Sequence, residues 1–188
     1  MDLKTGNGFD GNAFKRAEAK FNMGLKDVFK VECFDKNGNL KWVDYIENLV
    51  VNEGLNDALD KYFKGSGYTA AHYVGLTDST PNFQAGDTAA QIGGTNDWAE
   101  VTAYDEAARQ TATWGSVSGQ SVDNSASKAV FTIDTNSTTI GGAFLATSSV
   151  KGGTSGVLYG GGAFAAGDKT LDDNDVINVT VTATAAAS

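Results

Sequence analysis

The chain has 188 residues and a net charge of −9, with 23 glycines but a single proline, Pro81; that size suits one domain with an appendage and a core of its own. The charge is lopsided. Residues 65–188 carry only Arg109, Lys128, Lys151 and Lys169 against twelve acids, so this half repels phosphate backbones and no direct nucleic-acid contact is expected.

Residues 1–27 read as an extended N-terminal arm. It opens polar and Gly-rich (Gly6, Gly8, Gly11), and 13–21 has helix-forming composition with Phe14, Ala17 and Phe21 on one face. A helix this short is marginal alone in water. Its apolar face therefore needs a covering surface, on its own domain or on another chain. Phe14, Arg16, Lys20 and Phe21, together with Phe29 just past the arm, are the candidate partner-binding residues. The remainder, 28–188, is expected to form a single β-rich domain.

A hairpin opens that domain. Residues 28–35 and 40–47 alternate apolar and polar, and Asn37-Gly38 between them is a strong hairpin turn signal. One short amphipathic helix is predicted over about 52–64. Asn52 is placed to cap it and Glu53 suits its first turn. Leu55, Ala58, Leu59, Tyr62 and Phe63 make an apolar stripe that is expected to be core, and Gly65 is placed to end the helix.

Beyond the helix the text is strand and turn. Strands are predicted over 71–77, 98–102, 110–117, 129–134, 139–147, 156–164 and 176–184, with 78–97 as a long loop broken by Pro81 and Gly93-Gly94. No helical crossovers intervene. The predicted fold class is therefore mainly β, an antiparallel β-sandwich or barrel-like domain rather than a parallel sheet. Gly141-Gly142-Ala143-Phe144 and Gly161-Gly162-Ala163-Phe164 echo each other, the pattern of paired strands in which small residues admit close backbone contact.

Little in this text resembles catalytic machinery. One cysteine, Cys33, excludes an internal disulfide and sits in a strand-like run as a small buried residue. His72 is the only imidazole and has no evident nucleophile beside it. Asp172-Asp173-Asn174-Asp175 is the densest set of oxygen ligands, but it lacks the glycine and closing glutamate of a calcium loop and reads as a solvated turn. Asp123-Asn124-Ser125 is a turn by the same reasoning. Glu100 and Glu106 are the acids a hydrolase reading would use. Trp42, Trp98, Trp114, Tyr73, Tyr104 and Tyr159 read as core, with a sugar-binding face as the alternative. No catalytic residue, metal or cofactor is assigned. No signal peptide is expected, and no window approaches the ~20 apolar residues of a membrane helix.

Several stretches, in order, carry a resemblance: Asp35-Lys36-Asn37-Gly38-Asn39-Leu40; Asn48 to Leu55; His72-Tyr73-Val74-Gly75-Leu76-Thr77; Trp98-Ala99-Glu100-Val101-Thr102-Ala103-Tyr104 with Arg109 beyond; Gly141-Gly142-Ala143-Phe144-Leu145; and Asp175-Val176-Ile177-Asn178-Val179-Thr180-Val181. Over about 28–184 the chain resembles structural proteins of tailed-bacteriophage virions. The resemblance implies a non-enzymatic part of the particle, foremost a capsid decoration or cement protein that stabilises the major capsid shell. The alternatives are a neck, tail or head-fibre component, or a host-surface glycan-binding module. It implies the major capsid protein or other virion proteins as partners, a homo-oligomer, synthesis in the host cytoplasm, and a final place on the capsid exterior or in the head–tail region.

Overall fold

The opening hairpin and the last strand form one continuous ladder. A computed structural model describes residues 23–67, 71–95 and 97–187, and in it β1 (Met23–Phe34) is flanked by β2 (Leu40–Glu47) and β12 (Val176–Ala187). The alternation of both long strands dictates this. Phe29, Val31 and Cys33 from β1, and Ile177, Val179 and Val181 from β12, point to one face and are fully buried. All twelve residues of β1 pair with β12, from Met23 opposite Ala187 to Phe34 opposite Val176. The turn into β2 closes on Asp35, whose carboxylate accepts the Asn37 and Asn39 amides at 2.8 Å, with Gly38 at φ +80°.

Two features differ from expectation. The strand begins at Met23, so the boundary expected after residue 27 falls inside β1. Phe29 is fully buried in the core, so it is no partner-binding residue; its alternation with Val31 and Cys33 turns it inward. Phe14, Arg16, Lys20 and Phe21 lie outside the described residues.

The far edge of β12 is completed in two pieces. β7 (Ala129–Thr132) pairs with 176–179 and β6 (Ser121–Asp123) with 182–184. Asn124 fills the gap between them: its Oδ1 accepts the Val181 amide at 2.7 Å, and its Nδ2 donates to the Val179 carbonyl at 3.3 Å. A side chain thus substitutes for the missing ladder bonds.

The second sheet runs β3 (Leu49–Val50), β10 (Leu158–Ala163), β9 (Gly142–Ala146), β4 (Tyr73–Thr77), β5 (Gln110–Thr111), with every pairing antiparallel. The echoed glycine motifs meet here, with Gly142 opposite Ala163 and Gly161 opposite Phe144. β9 is buried on both faces. Ala143 and Leu145 join the core shared with the first sheet, while Phe144 and Ala146 face a second cluster with Phe83, Ile92 and Trp98. The segment predicted as a long open loop is therefore a lid on the outer face of this sheet, folded around a 3₁₀ turn at Ala89–Ile92. The strand predicted over 139–147 breaks at Gly141, where a Cβ would collide with the Ser79–Thr80 backbone. Its first part, β8 (Thr138–Ile140), pairs instead with β11 (Lys169–Leu171). The result is a mainly β, antiparallel, sandwich-like domain with a single α-helix among the described residues.

That helix, α1 (Asn52–Tyr62), meets the sheet differently from expectation. Val51 is its cap and no side chain caps it; the Asn52 amide donates instead to the Ala85 carbonyl at 2.8 Å. Glu53 ties the first turn down, its carboxylate accepting the Ala89 and Leu158 amides at 2.9 and 2.7 Å. Gly54 alone in the helix is buried, lying so close to the Tyr159 backbone that no Cβ fits. The helix thus docks through its N-terminal turn. The stripe expected to be core stays open, with Leu59, Tyr62 and Phe63 exposed to 51, 83 and 68%.

Rings occupy the space that glycines leave in the second sheet. A Cβ on Gly75 would fall within the Phe144 ring, and one on Gly161 within that of Phe83. Phe144 is fully buried and cannot swing away. Gly75→Ala should therefore lose about 1–3 kcal/mol through overpacking. Gly24→Ala, where nothing lies within 4 Å of the new Cβ, should be neutral or slightly stabilising. Urea unfolding of the two variants checks this.

Candidate functional site

The residues singled out for chemistry are each engaged in structure. Cys33 is buried, which pushes its thiol up to about 12. The carboxylate of Glu106 accepts the Thr132 amide at 3.1 and 3.2 Å. In the 172–175 turn, the Asp175 carboxylate accepts the Asp172 amide at 2.9 Å and pairs with the Lys41 ammonium at 2.5 Å. No cluster of His, Cys, Asp and Glu among the described residues is arranged to hold a metal.

Glu100 meets Arg109 in a fully buried ion pair. Arg109 Nε and Nη2 donate to the two Glu100 oxygens at 2.9 and 2.7 Å. Its remaining donors reach the carbonyls of Ser148 at 2.9 Å and Gly153 at 2.6 Å. Glu100 also accepts the Gly152 amide at 2.7 Å, and the guanidinium lies 5.1 Å from the Phe144 ring centroid. Sequence reasoning passed over Arg109, although one signal was present: it is the only arginine after Arg16. In so acidic and Lys-poor a stretch, a lone guanidinium suits a planar, bidentate, desolvated pairing that lysine cannot make.

The aromatics divide. Trp98 and Tyr104 are buried, against Phe83 and Phe131 respectively, and Trp42 sets its edge on Phe164 at 5.6 Å. Trp114 and Tyr159 instead stand with His72 around an opening of about 320 Å³ at one end of the sandwich. The Trp114 indole N–H donates to His72 Nδ1 at 3.2 Å, which leaves the proton of the neutral ring on Nε2. Burial holds the His72 pKa below its ordinary value. His72 thus forms part of the wall of this opening.

Asp27 forms part of the same opening. It sits on the inward face of β1, opposite Ala183, and accepts a hydrogen bond from Asn48 Nδ2 at 2.9 Å. Burial pushes its carboxyl up to about 6, and the Asn48 bond only partly offsets this. Beside the opening lies an apolar groove of about 480 Å³ between β1 and α1, lined by Leu25, Leu55, Ala58, Leu59, Tyr62 and Phe63. Leu25 belongs to both. Opening and groove thus adjoin near the start of β1.

Comparison with protein-family models, with curated proteins and with solved structures found no match to this chain.

Two outcomes follow from these geometries. Arg109→Met leaves Glu100 buried without its partner and should lose about 3–5 kcal/mol, much of it regained in the Arg109→Met, Glu100→Met double variant; urea unfolding distinguishes the two. Asp27 binds its proton more tightly when folded. Its contribution to stability is full below the ordinary carboxylate value of 3.8 and fades as pH rises through about 6, a difference of about 3 kcal/mol across that window. Asp27→Asn should flatten this dependence when unfolding free energy is measured at either side of the window.

Proposed function

We propose that this chain is a non-enzymatic structural protein of a tailed-bacteriophage virion, foremost a decoration or cement protein bound to the major capsid shell. One observation carries the reading beyond the sequence resemblance: the ionisable groups that chemistry would need are committed to holding loops together, while a broad apolar end is left open. Glu100 locks onto Arg109, Glu106 onto the β7 backbone, Asp175 onto Lys41, and His72 onto Trp114. Exposed apolar patches rimmed by polar residues mark surfaces for association. The attachment lies at the end carrying α1, where Leu59, Tyr62 and Phe63 stand exposed. On a shell with many equivalent positions, even a weak individual contact becomes effective through copy number and symmetry.

The ratio of this protein to the major capsid protein in purified particles tests the proposal. Quantitative mass spectrometry should find a copy number comparable to that of the capsid subunits. A single ring's worth of copies would move the protein to the neck or tail, and absence from the particle would overturn the virion reading.

A further inference from the structure

The opening beside β1 is lined by His72, Trp114 and Tyr159. The Trp114 and Tyr159 rings stand at 71° and 86° to the His72 ring, with centroids 5.9 and 4.9 Å from its own. The three therefore make a cornered aromatic surface rather than a flat stack. Leu25, Val122 and Leu145 add apolar lining. The volume of about 320 Å³ falls at the lower end of the roughly 300–1,000 Å³ usual for small-molecule sites.

One acid enters this lining. Asp27 shares the inward row of β1 with Leu25 and Phe29, and it is only 4% exposed. Its carboxylate takes a hydrogen bond from Asn48 Nδ2 at 2.9 Å, and no Lys or Arg among the described residues lines the opening. Asn48 Oδ1 is itself buried without a donor. Acceptors thus outnumber donors at this point, and a buried negative charge stands without a counter-charge, a costly arrangement that a cation would relieve. The ring faces beside it carry the same preference, because an aromatic quadrupole attracts positive charge. A bare metal ion would want several oxygen ligands, and Asp27 is the only acid in the lining. A sugar would need several polar groups to fix its hydroxyls, and this lining is mostly apolar. An organic cation, apolar in body and positive in charge, matches both halves of the site.

We infer that this opening is a binding site for a small organic cation with a methylated ammonium head, which sits against Trp114 and Tyr159 and pairs with the Asp27 carboxylate. The net charge of −9 favours the approach of such a ligand. The inference goes beyond the virion reading and does not rest on it, since its test uses only the purified full-length chain.

The test is calorimetric titration with choline chloride at about pH 8. A carboxyl that titrates at about 6 is ionised there, and His72, held below its ordinary value, adds no positive charge. Saturable binding with one choline per chain is expected. Neohexanol, the neutral isostere with carbon in place of the ammonium nitrogen, should bind about tenfold more weakly or worse. Asp27→Asn keeps the shape of the side chain and removes its charge, so it should fold as the parent does, checked by circular dichroism, and lose about tenfold in choline affinity. Trp114→Leu should weaken choline by a similar factor. Flotation with phosphatidylcholine vesicles separates two sources of the same head. Flotation that free choline reverses places the head on a lipid, and calorimetric binding without flotation places it on a soluble molecule; either supports the site. No saturable choline binding, equal affinity for neohexanol, or unchanged affinity in Asp27→Asn would overturn the inference. So would tighter binding of methyl glucoside than of choline, which would make this a sugar site.

Discussion

The desolvated pair of Arg109 and Glu100 determines how the outer layer of this protein is held. A buried ion pair rarely raises stability over an apolar alternative, because the attraction must first offset the loss of water around both charges. Here the cost is met by completeness. The guanidinium reaches both carboxylate oxygens and two carbonyls, and the carboxylate takes a further amide from Gly152. Those partners come from the segment around Glu100, from the start of β5, and from the turn over 148–153. Three irregular stretches that share no strand ladder are thereby joined at one point. Lys151 reinforces the same turn, donating to the Tyr104 carbonyl at 2.7 Å with its ammonium 4.0 Å from the Tyr104 ring centroid.

That junction explains how so glycine-rich a chain builds a layered core. Glycine costs backbone entropy and contributes no side chain of its own. In the second sheet the missing side chains are supplied from elsewhere: Phe144 fills the space over Gly75, and Phe83 the space over Gly161. Phe83 and its neighbour Trp98, 4.7 Å away between ring centroids, belong to segments with almost no regular structure. They keep their positions because the lid is pinned by Glu53 to the helix and by Glu100 to Arg109. Close backbone approach and ring cover are then two aspects of a single arrangement.

The parts of this fold that were legible in sequence are those where local pattern and global burial agree. β1, β2 and β12 alternate strictly and have one wet face, so period alone places them. The helix was legible as a helix, yet its partner was not. Periodicity reports which face is apolar, and only tertiary contact decides what covers that face; Gly54, not Leu59, turned out to touch the sheet. The 78–97 stretch was read as a long loop because Pro81 and Gly93-Gly94 break regular structure. Breakers exclude strands and helices, however, and do not exclude burial of Phe83, Ala89 and Ile92. Phe29 shows the same limit from the other side, since its alternation with Val31 and Cys33 pointed inward all along. At the candidate site, Trp114 and Tyr159 were legible only as aromatics. What brings them to one opening with His72 and Asp27 is the pairing of β1 with β12 across from the second sheet, a long-range consequence invisible to any short window.

The distribution of charge and apolar surface bears on how such a domain would work. Three other buried carboxylates are paired with cations: Glu100 with Arg109, Asp175 with Lys41, and Asp44 with Lys169 at 3.2 Å. Among the described residues Asp27 meets the Asn48 amide and no cation, and burial makes it favour its neutral form as pH falls toward 6. It stands beside the open stripe of α1, the two regions sharing Leu25. The long ladder runs through this part of the domain, from Met23 opposite Ala187 onward, yet the exposed side chains Leu59, Tyr62 and Phe63 contribute nothing to the buried core. That separation suits the association role proposed above, because apolar surface outside the core can meet another molecule without unpacking the fold that presents it.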